Sequence, residues 1–130
     1  MNVIETGIPG LLIIEPRVFN DSRGYFFETY REDKYKELSI PASFVQDNES
    51  KSVRGVVRGL HYQLAPYSQS KLVRVISGKV FDVAVDLRKG SPSFGKWFGI
   101  MLDDIDKKQL FIPGGFGHGF SVVSETAIFS

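Results

Sequence analysis

The chain reads as all-β, an antiparallel sandwich or barrel with one short helix, and three observations carry that reading. Short apolar or alternating runs recur along it, turn-forming residues separate them, and aromatic side chains abound: eleven Phe, five Tyr and one Trp in 130 residues. Aromatic and β-branched side chains fit a pleated, half-buried surface, so most of these rings belong to the core. Some can also form flat walls for a planar ligand. A chain of this length is expected to make one domain, over residues 1–130, that buries roughly two-thirds of its unfolded surface.

The strand signals run in order through residues 11–15, 25–30, 44–48, 56–63, 72–77, 80–86, 97–102, 109–112 and 120–123, with 126–129 closing the chain. Between them stand Asp21-Ser22-Arg23-Gly24, Ser77-Gly78-Lys79, Lys89-Gly90-Ser91-Pro92 and Pro113-Gly114-Gly115, each rich in residues that favour turns. Only residues 32–39 look helical, with acids in the first turn, and Pro41 stops the helix from continuing. Many short strands at this spacing point to a sandwich or barrel.

Period-two arithmetic sorts the strand faces. Phe81, Val83 and Val85 share one side, and Asp82, Ala84 and Asp86 the other. Lys71 lies with Val73 and Val75. His61 shares a side with Gly59 and Gln63, so in a regular strand Arg58 faces away from it. Both can serve one pocket only if the strand bulges or kinks, and Gly59 is the residue that permits this.

Bulk properties narrow the function classes. A net charge of +1 leaves no electrostatic footprint for DNA or RNA. Without cysteine there is no disulfide framework, thiolate metal site or Cys nucleophile. The sequence has no run of eighteen apolar residues and no basic-then-apolar leader, so a cytoplasmic protein is expected.

The segment Arg58-Gly59-Leu60-His61-Tyr62-Gln63, with Lys71 close behind, carries the most chemistry. An imidazole titrates near neutrality, at about 6.5 when unperturbed, and can take up a proton at working pH. A nearby ammonium can hold the negative charge left behind. Together they suit proton abstraction next to a carbonyl. Pro113-x-Gly115-x-x-His118 resembles the second motif of cupins, which are small β-barrels. The first cupin motif supplies two His and a Glu, but His61-Tyr62-Gln63 stands in its place. With two histidines in all, a three-histidine metal site is impossible. A site of His61, His118 and a carboxylate stays conceivable; alone, His118 reads as a turn-flanking histidine satisfied by the backbone.

The chain resembles the dTDP-4-dehydrorhamnose 3,5-epimerase family of nucleotide-sugar epimerases. The resemblance lies in Val18-Phe19-x-Asp21-x-Arg23-Gly24-x-Phe26-Phe27-Glu28, Phe44-Val45-Gln46-Asp47-Asn48 and Arg58 to Gln63. It continues in Lys71-Leu72-Val73-Arg74, Phe81 to Asp86, and Pro113-x-Gly115-Phe116-x-His118-Gly119-Phe120. It implies an antiparallel double-sheet jelly roll, a cupin-like β-barrel, assembled as a homodimer. It implies epimerisation of a dTDP-4-keto-6-deoxyhexose at C3 and C5, with His61 as general base and Lys71 stabilising the enolate. No cofactor is implied, because the C4 ketone itself acidifies the neighbouring C–H bonds. Arg23 and Arg58 match diphosphate-holding positions. Phe19, Phe26, Glu28, Gln46, Asn48 and His118 match positions around the sugar nucleotide, some lent across the dimer interface. Apart from the resemblance, Phe19 and Phe26 read as core or sheet-face aromatics, Arg23 as a solvated turn residue and Glu28 as the polar face of a strand.

The chain departs from the family in one respect. The proton-returning tyrosine of the family falls just after Ala127-Ile128-Phe129-Ser130, and the aspartate partnering the catalytic histidine comes later. None of Tyr25, Tyr30, Tyr35, Tyr62 and Tyr67 matches that tyrosine. The expectation is a fragment of a longer epimerase. The alternatives are a natural short form that binds nucleotide sugar but turns over poorly, an epimerase using another tyrosine or water, and a non-catalytic nucleotide-sugar-binding module. Epimerisation at C3 alone or C5 alone also stays open.

Overall fold

The computed structural model describes residues 1–41, 43–63 and 69–130. In chain order the strands are β1 (Asn2–Glu5), β2 (Leu12–Glu15), β3 (Phe19–Asp21) and β4 (Gly24–Phe26), followed by helix α1 (Glu32–Glu37). Then come β5 (Ser50–Val53), β6 (Val57–His61), β7 (Lys71–Val73), β8 (Val75–Ser77) and β9 (Lys79–Asp86). The last are β10 (Trp97–Asp103), β11 (Gln109–Ile112), β12 (Phe116–Val122) and β13 (Thr126–Phe129). All pairings among the described strands are antiparallel, in sheets ordered β1-β2-β11-β7, β10-β9-β12-β6 and β5-β13-β8, plus the β3–β4 hairpin. The all-β fold with one short helix is the one expected.

The main core lies where these sheets face one another. Val73, Leu110 and Ile112 come from the first sheet, Val80, Ala84, Leu102, Phe116, Phe120 and Val122 from the second, and Val75, Ala127 and Phe129 from the third. Strand β11 is buried on both sides: Phe111 turns outward to a second cluster with Ile14, Tyr35 and Ile40. That cluster seats α1 through Tyr35, whose ring meets Tyr30 edge-on at 4.9 Å. Burial removes water from the Tyr35 hydroxyl and pushes its pKa above the tyrosine range.

Three expected strands are altered. Residues 43–49 form no strand: Phe44 alone anchors them, against Tyr30 and Phe111, while Val45 is 97% exposed. The aromatic run 25–30 is a strand only as far as Phe26, the end of a three-residue hairpin arm. The run 72–77 is split at Arg74, whose backbone exchanges two hydrogen bonds of 2.9 Å with Ser130. Strands β1, β3 and β5 were not expected; β5 reads Ser-Lys-Ser-Val, with no apolar alternation to reveal it.

Strand β9 sorts as the alternation requires, but it is the Asp82, Ala84, Asp86 side that is sealed, with Phe81, Val83 and Val85 half-buried. An ionised carboxylate survives inside only when it is paired. Asp86 accepts bonds from Arg88 Nε (3.0 Å) and Nη2 (2.9 Å), from Ser91 Oγ (2.6 Å) and from Ser93 Oγ. Arg88 also donates to the Pro9 carbonyl at 2.8 Å and lies over the Phe116 ring, tying the loop after β9 to the N-terminal segment.

Arg88 first, then the serine hydroxyls, hold the Asp86 carboxyl well below the usual carboxylate range. A depressed folded-state pKa contributes stability that is fully present above the unfolded value of about 3.9 and lost as pH falls below it. Asp86→Asn is therefore expected to destabilise the fold by about 2–3 kcal/mol near neutrality. In thermal melts the variant's deficit should shrink on acidification through the carboxylate range; a deficit that is constant with pH would contradict this account.

Candidate active site

Strand β6 decides the geometry of the site. In its pairing with β12, His61 stands opposite His118 and Arg58 opposite Phe120. Three steps along β6 thus match two along β12, and the extra residue is a β-bulge. Residues paired across an antiparallel ladder point the same way. The bulge therefore turns Arg58 and His61 to one side, joining His118 and Phe120. Gly59 has φ +116°, and a Cβ there would lie 2.6 Å from Gly119 Cα and 2.7 Å from the His118 carbonyl oxygen. Glycine alone fits such backbone.

The result is a cleft of about 1060 Å³ whose walls include Arg58, His61, Lys71, His118, Gln46 and Asn48. Lys71, opening β7 opposite Ile112, extends the inner face that carries Val73. Arg58 is held by Nε donating to Ser52 Oγ at 2.8 Å, and Gln46 Nε2 donates to Asn48 Oδ1 at 3.3 Å. Arg58, Lys71 and Arg74 outnumber the acids Asp47 and Glu49 along the cleft, a balance that suits an anionic ligand. The pocket is at the upper end of the size that encloses small ligands.

His118 is neither beside a turn nor satisfied by the backbone. It is 5% exposed in mid-β12, and its Nε2 lies 3.0 and 2.9 Å from the two oxygens of Asp82, which is fully buried. Its ring stacks on Phe129 at 6.0 Å. Burial raises the Asp82 carboxyl, while the bond from His118 and the charges of His118 and Lys71 pull it down. Among the described residues no three His, Asp or Glu side chains group as metal ligands.

Phe19, Arg23, Phe26 and Glu28 are not among the cleft residues of this chain. Phe19 and Phe26 are not core either: they sit on the β3–β4 hairpin, 52% and 71% exposed. Arg23 is the exposed turn residue, bonded to Asp21 at 2.7 Å, and Glu28 pairs with Lys34 at 3.1 Å beyond the end of β4. Sequence reasoning assigned no site role to Asp82, Ser52, Tyr30 or Tyr62. Asp82 was detectable as an acid alternating with apolar residues in a buried strand. Tyr62 follows β6 directly and still borders the cleft. Tyr67 lies outside the described residues.

A family model described as dTDP-4-dehydrorhamnose 3,5-epimerase matches residues 5–130. A relative of that name from Shigella flexneri is 58% identical over 130 residues, 99% of this chain and 72% of the relative. The chain belongs to the dTDP-4-dehydrorhamnose 3,5-epimerase family. Members of this family are isomerases that act on a nucleotide sugar. The solved dTDP-6-deoxy-D-glucose-3,5-epimerase of Legionella pneumophila, in complex with dTDP-4-keto-L-rhamnose, superposes with a TM-score of 0.94 at 53% identity. It is matched over 98% of this chain and 68% of its own. A dTDP-4-dehydrorhamnose 3-epimerase from Streptomyces niveus is 43% identical over 128 residues, 98% of this chain and 62% of that protein. The fold assigned to the family, a cupin-like antiparallel barrel, is the fold described above.

The bulge makes a specific demand. Gly59→Ala is expected to destabilise the protein by at least about 2 kcal/mol, because the new methyl meets backbone at under 3 Å and φ is positive. Chemical denaturation measures this; an unchanged midpoint would show that β6 does not need the bulge.

Proposed function

We propose that this chain epimerises a dTDP-4-keto-6-deoxyhexose at C3 and C5, with His61 as general base and Lys71 as the enolate-stabilising cation. The observation that carries the reading is that the β6 bulge sets Arg58 and His61 on one cleft with Lys71. Neutral His61 takes the hydrogen from the carbon beside the C4 ketone, and the C–H electron pair moves into the carbonyl as an enolate. Lys71 faces the developing oxygen charge. A water molecule or a tyrosine on the opposite face then protonates the carbon, restoring the ketone with the centre inverted, and His61 gives up the proton it took to solvent. The ketone supplies the acidity, and no cofactor takes part.

Arg58, steadied by Ser52, is placed to bind diphosphate through its planar fork. Gln46, Asn48 and His118 are the polar groups for the sugar nucleotide. Phe19, Arg23, Phe26 and Glu28 enter the reading through a homodimer, in which the hairpin of one chain reaches the other chain's cleft. The exposed Phe19 and Phe26 support this, since a partner would cover them. The cytoplasm, where such biosynthetic substrates are made, is the proposed location. Among the described residues no helix is long and apolar enough to cross a membrane.

The Streptomyces relative favours a second reading, epimerisation at one centre only. Incubation with the keto sugar in D₂O separates the readings: deuterium at C3 and C5 supports the first, at one carbon the second. No exchange at either would reject a proton-abstracting site in this chain. His61→Ala should lower exchange by at least about 10²-fold. Lys71→Ala should slow it by a similar factor of about 10² while dTDP affinity changes only a few-fold.

Acid should also suppress exchange, because an imidazolium has no lone pair with which to take a carbon-bound proton. A rate that stays flat from weakly alkaline to weakly acidic solution would count against His61 as the base.

A further inference from the structure

The buried Asp82–His118 pair has no part in the proton transfer proposed above. It occupies the inner face of two neighbouring strands, β9 and β12, with Phe120 paired opposite Asp82 and His118 opposite Ala84. We infer that Asp82 is a positioning residue that fixes His118 as its neutral Nε2–H tautomer, so that Nδ1 offers the cleft a hydrogen-bond acceptor for a ligand hydroxyl.

Geometry leads to the tautomer. Nε2 stands nearly equidistant from Oδ1 (3.0 Å) and Oδ2 (2.9 Å), the arrangement of one N–H shared between both oxygens of a carboxylate. A carboxylic acid donating to a bare ring nitrogen would favour one oxygen. The proton therefore sits on Nε2. A second proton on Nδ1 would find no acceptor among the described residues, since the only side-chain bonds of the ring there are those of Nε2. Nδ1 makes no hydrogen bond to any described residue, whereas His118 borders the cleft. A nitrogen with a lone pair cannot bind phosphate or keto oxygens, which only accept. It can bind a hydroxyl.

The ligand side of this inference rests on the nucleotide-sugar reading; the tautomer does not. A nucleotide sugar offers hydroxyls from two sources, the hexose and the deoxyribose. The experiment is ¹⁵N NMR of the histidine-labelled protein at neutral pH, unliganded and then with dTDP or dTDP-glucose. Expected for unliganded protein are a protonated, pyrrole-like Nε2 and a bare, pyridine-like Nδ1 on His118. The reverse tautomer or an imidazolium would overturn the proposal, whatever the fate of the catalytic reading.

On binding, the Nδ1 signal should move toward hydrogen-bonded values. A shift with dTDP-glucose only assigns the hexose hydroxyl, and one with dTDP alone assigns the deoxyribose. Binding of dTDP-glucose, seen by calorimetry, with Nδ1 unmoved would overturn the ligand role. Asp82→Asn offers one acceptor and one donor, so both tautomers should be populated and dTDP-glucose should bind about tenfold more weakly. A folded variant that keeps the pure Nε2–H tautomer would show that the carboxylate is not what fixes it. The wild-type spectra decide the tautomer even if the variant does not fold.

Discussion

The site depends on one extra residue in one strand. Without the bulge at Gly59, the two-residue period of a strand would send Arg58 and His61 to opposite faces. One of them would then leave the cleft, and the cation suited to phosphate would be separated from the imidazole suited to carbon acids. The bulge is fixed by close contact with β12: the Gly59 Cα faces the Gly119 backbone so closely that no side chain fits. Packing, register and chemistry are therefore set by the same contact.

The second constraint is the polar lining of the barrel. Strand β9 buries two aspartates completely where a purely structural strand would bury Phe81, Val83 and Val85. The two acids have different partners. Asp86 is saturated by Arg88 and two serines and serves the fold, closing a loop and anchoring the N-terminal segment. Among the described residues Asp82 bonds only to the imidazole of His118; burial raises its carboxyl, and His118 and Lys71 pull it back down. Buried carboxylates are expensive in free energy, and the pairing of each shows how the fold tolerates it.

Much of this was legible in the sequence, for identifiable reasons. Short apolar or alternating runs bounded by turn residues gave β9, β10, β11 and β13 nearly to the residue. Gly59 between Arg58 and His61 marked where a bulge was needed if both were to serve one pocket, and the register of β6 on β12 has that shift. Lys71 followed Val73 and Val75 inward by the same period. What escaped depends on partners distant in sequence. Residues 44–48 look like a strand but have only Phe44 to bury, and β5 looks like a loop but pairs with β13. The hairpin aromatics Phe19 and Phe26 look like core, yet both are exposed, with Arg17 lying over the Phe19 ring. Asp82 could be seen as an odd acid, but its histidine is 36 residues away.

The central claim is that His61 and Lys71 act from one cleft on the same keto sugar. A crystal structure with a dTDP-linked 4-keto sugar or a close mimic tests it most directly. The C4 oxygen should face Lys71 Nζ, a neighbouring carbon the His61 ring, and the diphosphate should lie against Arg58. A sugar ring seated away from His61, or a diphosphate occupying the space between His61 and Lys71, would contradict it.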